Sequence, residues 1–216
     1  MSPIGRPVGI TADQTRAAVL AAAATEFSEH GYTRATIRRI AERAGLTSAA
    51  IYYHFPTKLA CLEAVLSDVD AIMRSYWEPI MAREGHIADR TAQLLRASAL
   101  INREHPHMAR ISARTLMEQA AGHPEMSEVM KPVRAYTLGV FDRLVDDAVS
   151  RGELPATASQ AVRDMIAALM FGLSNTAALE QPAHRYSAAI DALADLLAGR
   201  LFTAADGKSA AASSRH

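Results

Sequence analysis

The sequence predicts an all-α protein of about nine helices, with a small three-helix unit at the N-terminus and a larger helical body after it. Three observations carry this. Half of the 216 residues are apolar but only 6% are aromatic, so the core is built from Ala, Leu, Ile, Val and Met. Alanine abundance with few β-branched runs favours helix. Apolar residues recur at three-four spacing along most of the chain, and no strand-like alternation persists anywhere.

Residues 1–10, with Pro3, Gly5, Pro7 and Gly9, read as a flexible arm. Thr11 then opens a helix, with Gln14 at the capping-box position. Leu20, Ala23, Ala24 and Phe27 form its buried stripe, and Gly31 is its expected stop. A second helix is expected over 37–44, capped by Thr36 and broken by Gly45. A short third helix follows Thr47 over 48–54, and Pro56 ends that segment. After Thr57 comes a long helix whose Leu59, Leu62, Leu66, Val69, Met73, Tyr76 and Ile80 keep one apolar face. Further helices are expected at about 87–104, 108–121, 125–151, 157–180 and 183–202. Their breaks fall at Gly85, His105-Pro106, Gly122 to Pro124, Gly152 to Pro155 and Gln181-Pro182. Pro132 is expected to kink its helix or end the first turns. Residues 203–216, rich in Ala and Ser, are an expected disordered tail.

Net charge is zero, but its distribution is uneven. Residues 1–60 hold seven basic and four acidic side chains, and the remainder is acidic by the same margin. A basic head on an acidic body suits a phosphate-contacting module joined to a domain with another task. The lone Cys61 excludes an intramolecular disulfide and reads as a small buried apolar residue. Met1 to Gln14 lack the apolar run of a secretory signal. The longest apolar stretches, Ala17–Ala24 and Met165–Leu173, fall short of the roughly 18 residues of a membrane span. A soluble, cytoplasmic protein with no membrane partner is therefore expected.

The most informative stretch is Ile37 to Phe55, IRRIAERAGLTSAAIYYHF. Ile40, Ala41 and Ala44 share one face, and Ala41 is small where a second helix must cross closely. Gly45 can take the left-handed conformation of a sharp interhelical turn. Leu46 and Ile51 close a miniature core, and Thr47 caps the next helix. This is helix-turn-helix spacing, although any tight helical hairpin could use Ala and Gly in the same way. The exposed chemistry favours DNA. Thr47, Ser48, Tyr52, Tyr53 and His54 crowd hydroxyl and imidazole groups onto a two-turn helix too short to be stable alone. Arg38 and Arg39 lie where they can reach phosphates, and Lys58 begins the following helix, whose positive dipole end also favours an anion.

From about Arg16 to Leu66 the chain resembles the DNA-binding domain of the TetR family of one-component bacterial transcriptional regulators. The resemblance is carried by Phe27 to Leu66. Gly31-Tyr32, Thr36, Ile40-Ala41, Ala44-Gly45, Tyr52, His54-Phe55-Pro56 and Lys58 fall on the family pattern without gaps. It implies a dimer with one recognition helix per major groove, and phosphate contacts from Tyr52 and Lys58. The chain departs from many relatives at Ser48-Ala49, where they carry a basic residue and then Gly. Ser48, Ala49, Ala50 and Tyr53 are thus expected to read bases through hydrogen bonds and thymine-methyl contacts. Arg6, on the flexible arm, is a candidate for an adjacent minor groove.

The resemblance also implies a head over 11–56 and an effector-binding, dimerising body over 57–202. Candidate pocket residues are Met73, Trp77, Met81, Met108, Ile111, Met117, Tyr136 and Phe141, with Arg114, Glu118 and Asn175 as polar groups that orient a ligand. Met165 to Leu173 is apolar all round, so its helix needs cover on two sides. Met165, Leu169 and Leu173, with Tyr186, Ile190, Leu193, Leu197 and Leu201 of the last helix, are the candidate four-helix dimer interface. His105, His107 and His123 lack metal-ligand spacing, so neither a metal nor a cofactor is expected. With no Gly-rich phosphate loop, nucleophile elbow or paired carboxylates, an enzyme is not expected either. The expected function is a repressor of double-stranded DNA, released from a palindromic operator by a small, largely apolar effector. The alternative is an effector-independent architectural DNA-binding or helical interaction protein.

Overall fold

The computed structural model describes residues 11–178, 183–197 and 199. Among them the elements are α1 (Ala12–Arg34), α2 (Ile37–Ala44), α3 (Ser48–His54), α4 (Lys58–Met81), α5 (Ile87–Glu104), α6 (Pro106–Ala120), α7 (Glu125–Ser150), α8 (Ser159–Ala178) and α9 (Ala183–Leu197), with one 3-10 turn at Ala156–Ala158 and no strand. The all-α reading holds. Arg6, Leu201 and the expected tail lie outside the described residues, as do the side chains of Asn175 and Tyr186.

Helix starts follow from side-chain chemistry. Thr11 and Gln14 form a reciprocal capping box: the Gln14 amide donates to Thr11 Oγ1 (3.2 Å) and the Thr11 amide to Gln14 Oε1 (2.9 Å). Gly31 does interrupt α1, at φ 73° and ψ 174°, but one further turn continues to Arg34, where the Ala35 amide donates to Gly31 O (3.1 Å). α6 starts at Pro106, two residues earlier than expected, because proline at a first helical position gives up an amide that would have no partner there. α7 runs through Pro132 from Glu125 to Ser150, so the proline does not end its first turns.

Packing divides the chain into two compact units, 1–71 with 107–134 and 72–106 with 135–216. In the first, Val19, Phe27, Ile40, Ile51, Leu62 and Leu66 are all at most 2% exposed. Each such side chain stabilises by about 1.5–3 kcal/mol. Cys61 is fully buried among them. In the second, Trp77, Leu94, Leu95, Phe141, Leu144 and Ile166 form the core, and α5 packs against α9. α4 is continuous from one unit into the other. No described helix is long and apolar enough to cross a membrane.

Candidate functional site

The turn between α2 and α3 is built as its residue types require. Gly45 sits at φ 67°, ψ 30°. Its amide donates to Glu42 O (3.3 Å) and the Leu46 amide to Ala41 O (2.9 Å), the paired bonds of a Schellman turn. Thr47 then caps α3 by accepting from the Ala50 amide (3.2 Å), as Thr36 caps α2 by accepting from Arg39 (3.3 Å). Ile51, fully buried, fixes the rotation of α3. With Ile51 inward, Thr47, Ala49, Tyr52 and Tyr53 face out, and Ser48, Ala50 and His54 are half-buried beside them. Tyr53 is 85% exposed, an unusual cost for a large aromatic unless it has a partner to meet.

The surrounding bases are more engaged than spacing suggests. Arg38 donates to Glu42 Oε1 (2.8 Å) yet stays 84% exposed. Buried Glu26 collects Arg43 (3.1 Å) and Arg39 (3.6 Å), and Arg43 also reaches Glu29. This network ties α2 to α1. Glu26, Glu29 and His30 have the spacing of metal ligands, but the Arg43 guanidinium already occupies both carboxylates. Lys58 Nζ donates to Tyr32 O (2.7 Å) and Ala35 O (3.0 Å) and lies 4.3 Å from the Tyr32 ring centroid. Burial pulls its pKa below the ordinary lysine value, with Glu118 opposing. One N–H of its three is left for a phosphate. Two exposed bases escaped the sequence reading. Arg16 lies 5.6 Å from the Phe55 ring centroid, beside the end of α3, and Arg34 ends α1. Neither belongs to the Ile37–Phe55 motif, which is why spacing did not find them.

The expected pocket residues separate into two groups. Met108, Ile111, Arg114, Met117 and Glu118 belong to the first unit. There Arg114 Nε donates to Ser28 O (2.7 Å), and the Glu118 carboxylate accepts from the Tyr32 (3.0 Å) and Thr33 (2.8 Å) amides. Both polar groups grip the end of α1 through the head's own backbone. Met117 is 71% exposed. His107 Nδ1 lies 3.0 Å from Ser28 Oγ and His123 pairs with Glu125 (3.3 Å). Met73, Trp77, Met81, Tyr136 and Phe141 belong to the second unit. Trp77 stacks on Tyr136 (6.1 Å) and meets Phe141 (6.3 Å). Its indole Nε1 is buried without a hydrogen-bond partner. The Tyr136 hydroxyl donates to Glu78 (2.9 Å), and burial followed by that bond drives its pKa far up.

Of the candidate interface residues, Met165 is 45% exposed, and Leu169, Leu173, Leu193 and Leu197 are half-buried. Ile190, at 1%, is consumed by the protomer's own core. The exposed large apolar side chains described on α8 and α9 are Met165, Phe171 and Leu196.

Residues 19–65 match the family described as bacterial regulatory proteins, tetR family. Over that segment the chain is similar to the family. A curated relative, the HTH-type transcriptional regulator SrpR of Pseudomonas putida, is 39% identical over 64 residues, 30% of each chain. The nucleoid occlusion factor SlmA of Haemophilus influenzae is 28% identical over 117 residues, 54% of this chain and 50% of that protein. The chain thus spans only about a third to a half of the length of these relatives. Among solved structures, the transcriptional regulator FadR of Bacillus subtilis in complex with stearoyl-CoA superposes with a TM-score of 0.73 at 16% identity, covering 85% of this chain and 98% of that one. That likeness shows a shared fold.

Proposed function

We propose that this chain is a sequence-specific DNA-binding transcriptional regulator, a homodimeric repressor that a small, largely apolar effector releases from a palindromic operator. The carrying observation is the outer face of α3. Buried Ile51 and the Gly45 turn hold Thr47, Ala49, Tyr52 and the 85%-exposed Tyr53 outward with no intramolecular burial to account for them. Hydroxyls and methyls of this kind read major-groove edges. Phosphate contacts come from Arg38, Arg39, Tyr52 and the free N–H of Lys58, with Arg16 and Arg34 on the flanks.

A palindrome needs two heads, and the Met165, Phe171 and Leu196 surface supports a homodimer. The effector enters among Met73, Trp77, Met81, Tyr136 and Phe141, where the unpartnered Trp77 Nε1 supplies an orienting donor. Release follows from moving the recognition helices away from the roughly 34 Å groove spacing. Arg114 and Glu118 support such a coupling, since any shift of α6 pulls on the end of α1 through three hydrogen bonds. A coupling of about 1.4 kcal/mol gives ten-fold release.

Selection of bound duplexes from a random pool tests the reading. An inverted repeat should emerge and be lost in Tyr53→Ala, and lipophilic effectors that quench Trp77 fluorescence should weaken binding to it. Uniform protection of any duplex would support the architectural alternative instead.

A further inference from the structure

Away from α3 and the Trp77 cluster, the second unit contains a cavity of about 550 Å³ where the end of α4, the start of α5 and the end of α7 converge. Ligand pockets commonly occupy roughly 300–1,000 Å³. Four arginines, Arg83, Arg90, Arg143 and Arg151, line it together with Glu78, Glu84 and Asp147. The lining by itself carries one surplus positive charge, and Glu153, which is not on it, pairs with Arg151 (3.0 Å).

Two of the carboxylates are already committed. Asp147 lies between Arg90 and Arg151. Glu78 accepts from Arg143 (2.8 Å) and from the Tyr136 hydroxyl. The arginines are not saturated in return. Arg83 has no side-chain partner among the described residues. The Arg90 side chain is only 4% exposed, and while it donates to Asp147 and to Met81 O (3.1 Å), its Nε is buried with no partner. A buried charged donor left unpaired is costly, and a bound acceptor recovers that cost. Met81 and Ala82 supply an apolar wall on the same lining.

We propose that this cavity binds an organic monocarboxylate. Its carboxylate pairs with the guanidinium forks of Arg83 and Arg143 beside Arg90, and its hydrocarbon part lies against Met81 and Ala82. Guanidinium forks match carboxylate and phosphate alike. With Glu84 on the lining and Glu153 paired to Arg151, the site has no surplus positive charge for a second negative charge, so it favours a monoanion over a phosphate dianion. This goes beyond operator binding and does not depend on it.

The test is calorimetric titration of the full chain, without DNA, using hexanoate, hexanamide and inorganic phosphate as probes. Hexanoate should bind, with hexanamide and phosphate each weaker by about ten-fold or more, the worth of one charge-assisted hydrogen bond. Arg83→Gln and Arg143→Gln should each weaken hexanoate by about five-fold or more and leave hexanamide unchanged. Arg83 is exposed, so its variant keeps the fold even where loss of buried Arg90 would not. The proposal is overturned by absence of hexanoate binding, by equal binding of hexanoate and hexanamide, by tighter binding of phosphate, or by unchanged hexanoate affinity in Arg83→Gln.

Discussion

Replacing Gly31 with alanine isolates the contact that joins α6 to the end of α1. Two costs combine at this position. At φ 73°, ψ 174° the backbone lies in a region that is essentially glycine-only, worth about 1–3 kcal/mol for any other residue. The added Cβ would also stand 2.8 Å from Glu118 Oε1 and 3.3 Å from its Cδ, so the carboxylate has to move. Its bonds to the part-buried Tyr32 amide and the exposed Thr33 amide are then stretched or lost, at about 1–3 kcal/mol for the part-buried donor, while water can replace the partner of the exposed one. The total expected for Gly31→Ala is about 2–6 kcal/mol. Gly45→Ala is the internal control. It has a positive φ of 67° but nothing within 4 Å of the new Cβ, so only the backbone cost of about 1–2 kcal/mol applies. Urea unfolding gives both values, and hydrogen exchange of the Tyr32 and Thr33 amides reports the contact itself. Those two amides should exchange faster in Gly31→Ala and in Glu118→Ala, and remain protected in Gly45→Ala. In the double variant Gly31→Ala/Glu118→Ala the effects should sum to less than the separate costs, because the clash is gone. Equal destabilisation by the two glycine substitutions, or strict additivity in the double variant, would refute the reasoning.

Lys58→Met removes two carbonyl partners and a ring contact, so it should destabilise the chain by about 1.5–3 kcal/mol and also reduce the salt slope of DNA binding by about one. A changed slope with unchanged stability would assign Lys58 to phosphate alone. Because burial lowers the folded-state pKa of Lys58, the unfolded chain binds more protons just below pH 10, and this residue's contribution to stability rises with pH towards the ordinary lysine value. The tyrosines work in the opposite sense. Burial raises Tyr32 and Tyr136, and the Glu104 bond raises Tyr76, so the folded chain retains protons that the unfolded chain loses above about pH 10, and their contribution is lost as pH rises further. Absorbance near the tyrosinate band should therefore show fewer ionised tyrosines in the folded chain than in urea at the same alkaline pH; coincident titrations would contradict it. Burial also pushes the Cys61 thiol to about 11, so thiol reagents at pH 8 should modify it only after unfolding. Rapid labelling of the folded chain would show that the core around it opens.

The α3 face was legible because its determinants are local. Gly45 needs a left-handed turn, Thr36 and Thr47 need amides to cap, and Ile51 needs burial, all within fifteen residues of one another. Spacing therefore placed Thr47, Tyr52 and Tyr53 outward without knowledge of the rest of the chain. The roles of Arg114 and Glu118 were not legible. On their own helix they look like isolated polar groups on an apolar face, consistent with either solvent or ligand. Their partners lie 85 or 86 residues away on the backbone of α1. Backbone amides and carbonyls have no side-chain signature, so no pattern of residue types could announce them.

Ile190 gives the same lesson for the body. Its spacing with Leu193 and Leu197 is that of a helix seam, but a seam does not say which neighbour it meets, and Ile190 is buried within the protomer, where α9 packs against α5 and α8. The four arginines around the cavity escaped for a related reason. Arg83, Arg90, Arg143 and Arg151 come from three helix ends far apart in the chain, each unremarkable alone. Residue spacing, capping and glycine geometry thus determined the helices, their ends and the exposed face of α3, because those depend on contacts within a turn or two. Only the tertiary structure decided which polar side chains are consumed by distant backbone and which line a cavity, because long-range pairing is set by how helices pack and not by their own sequence.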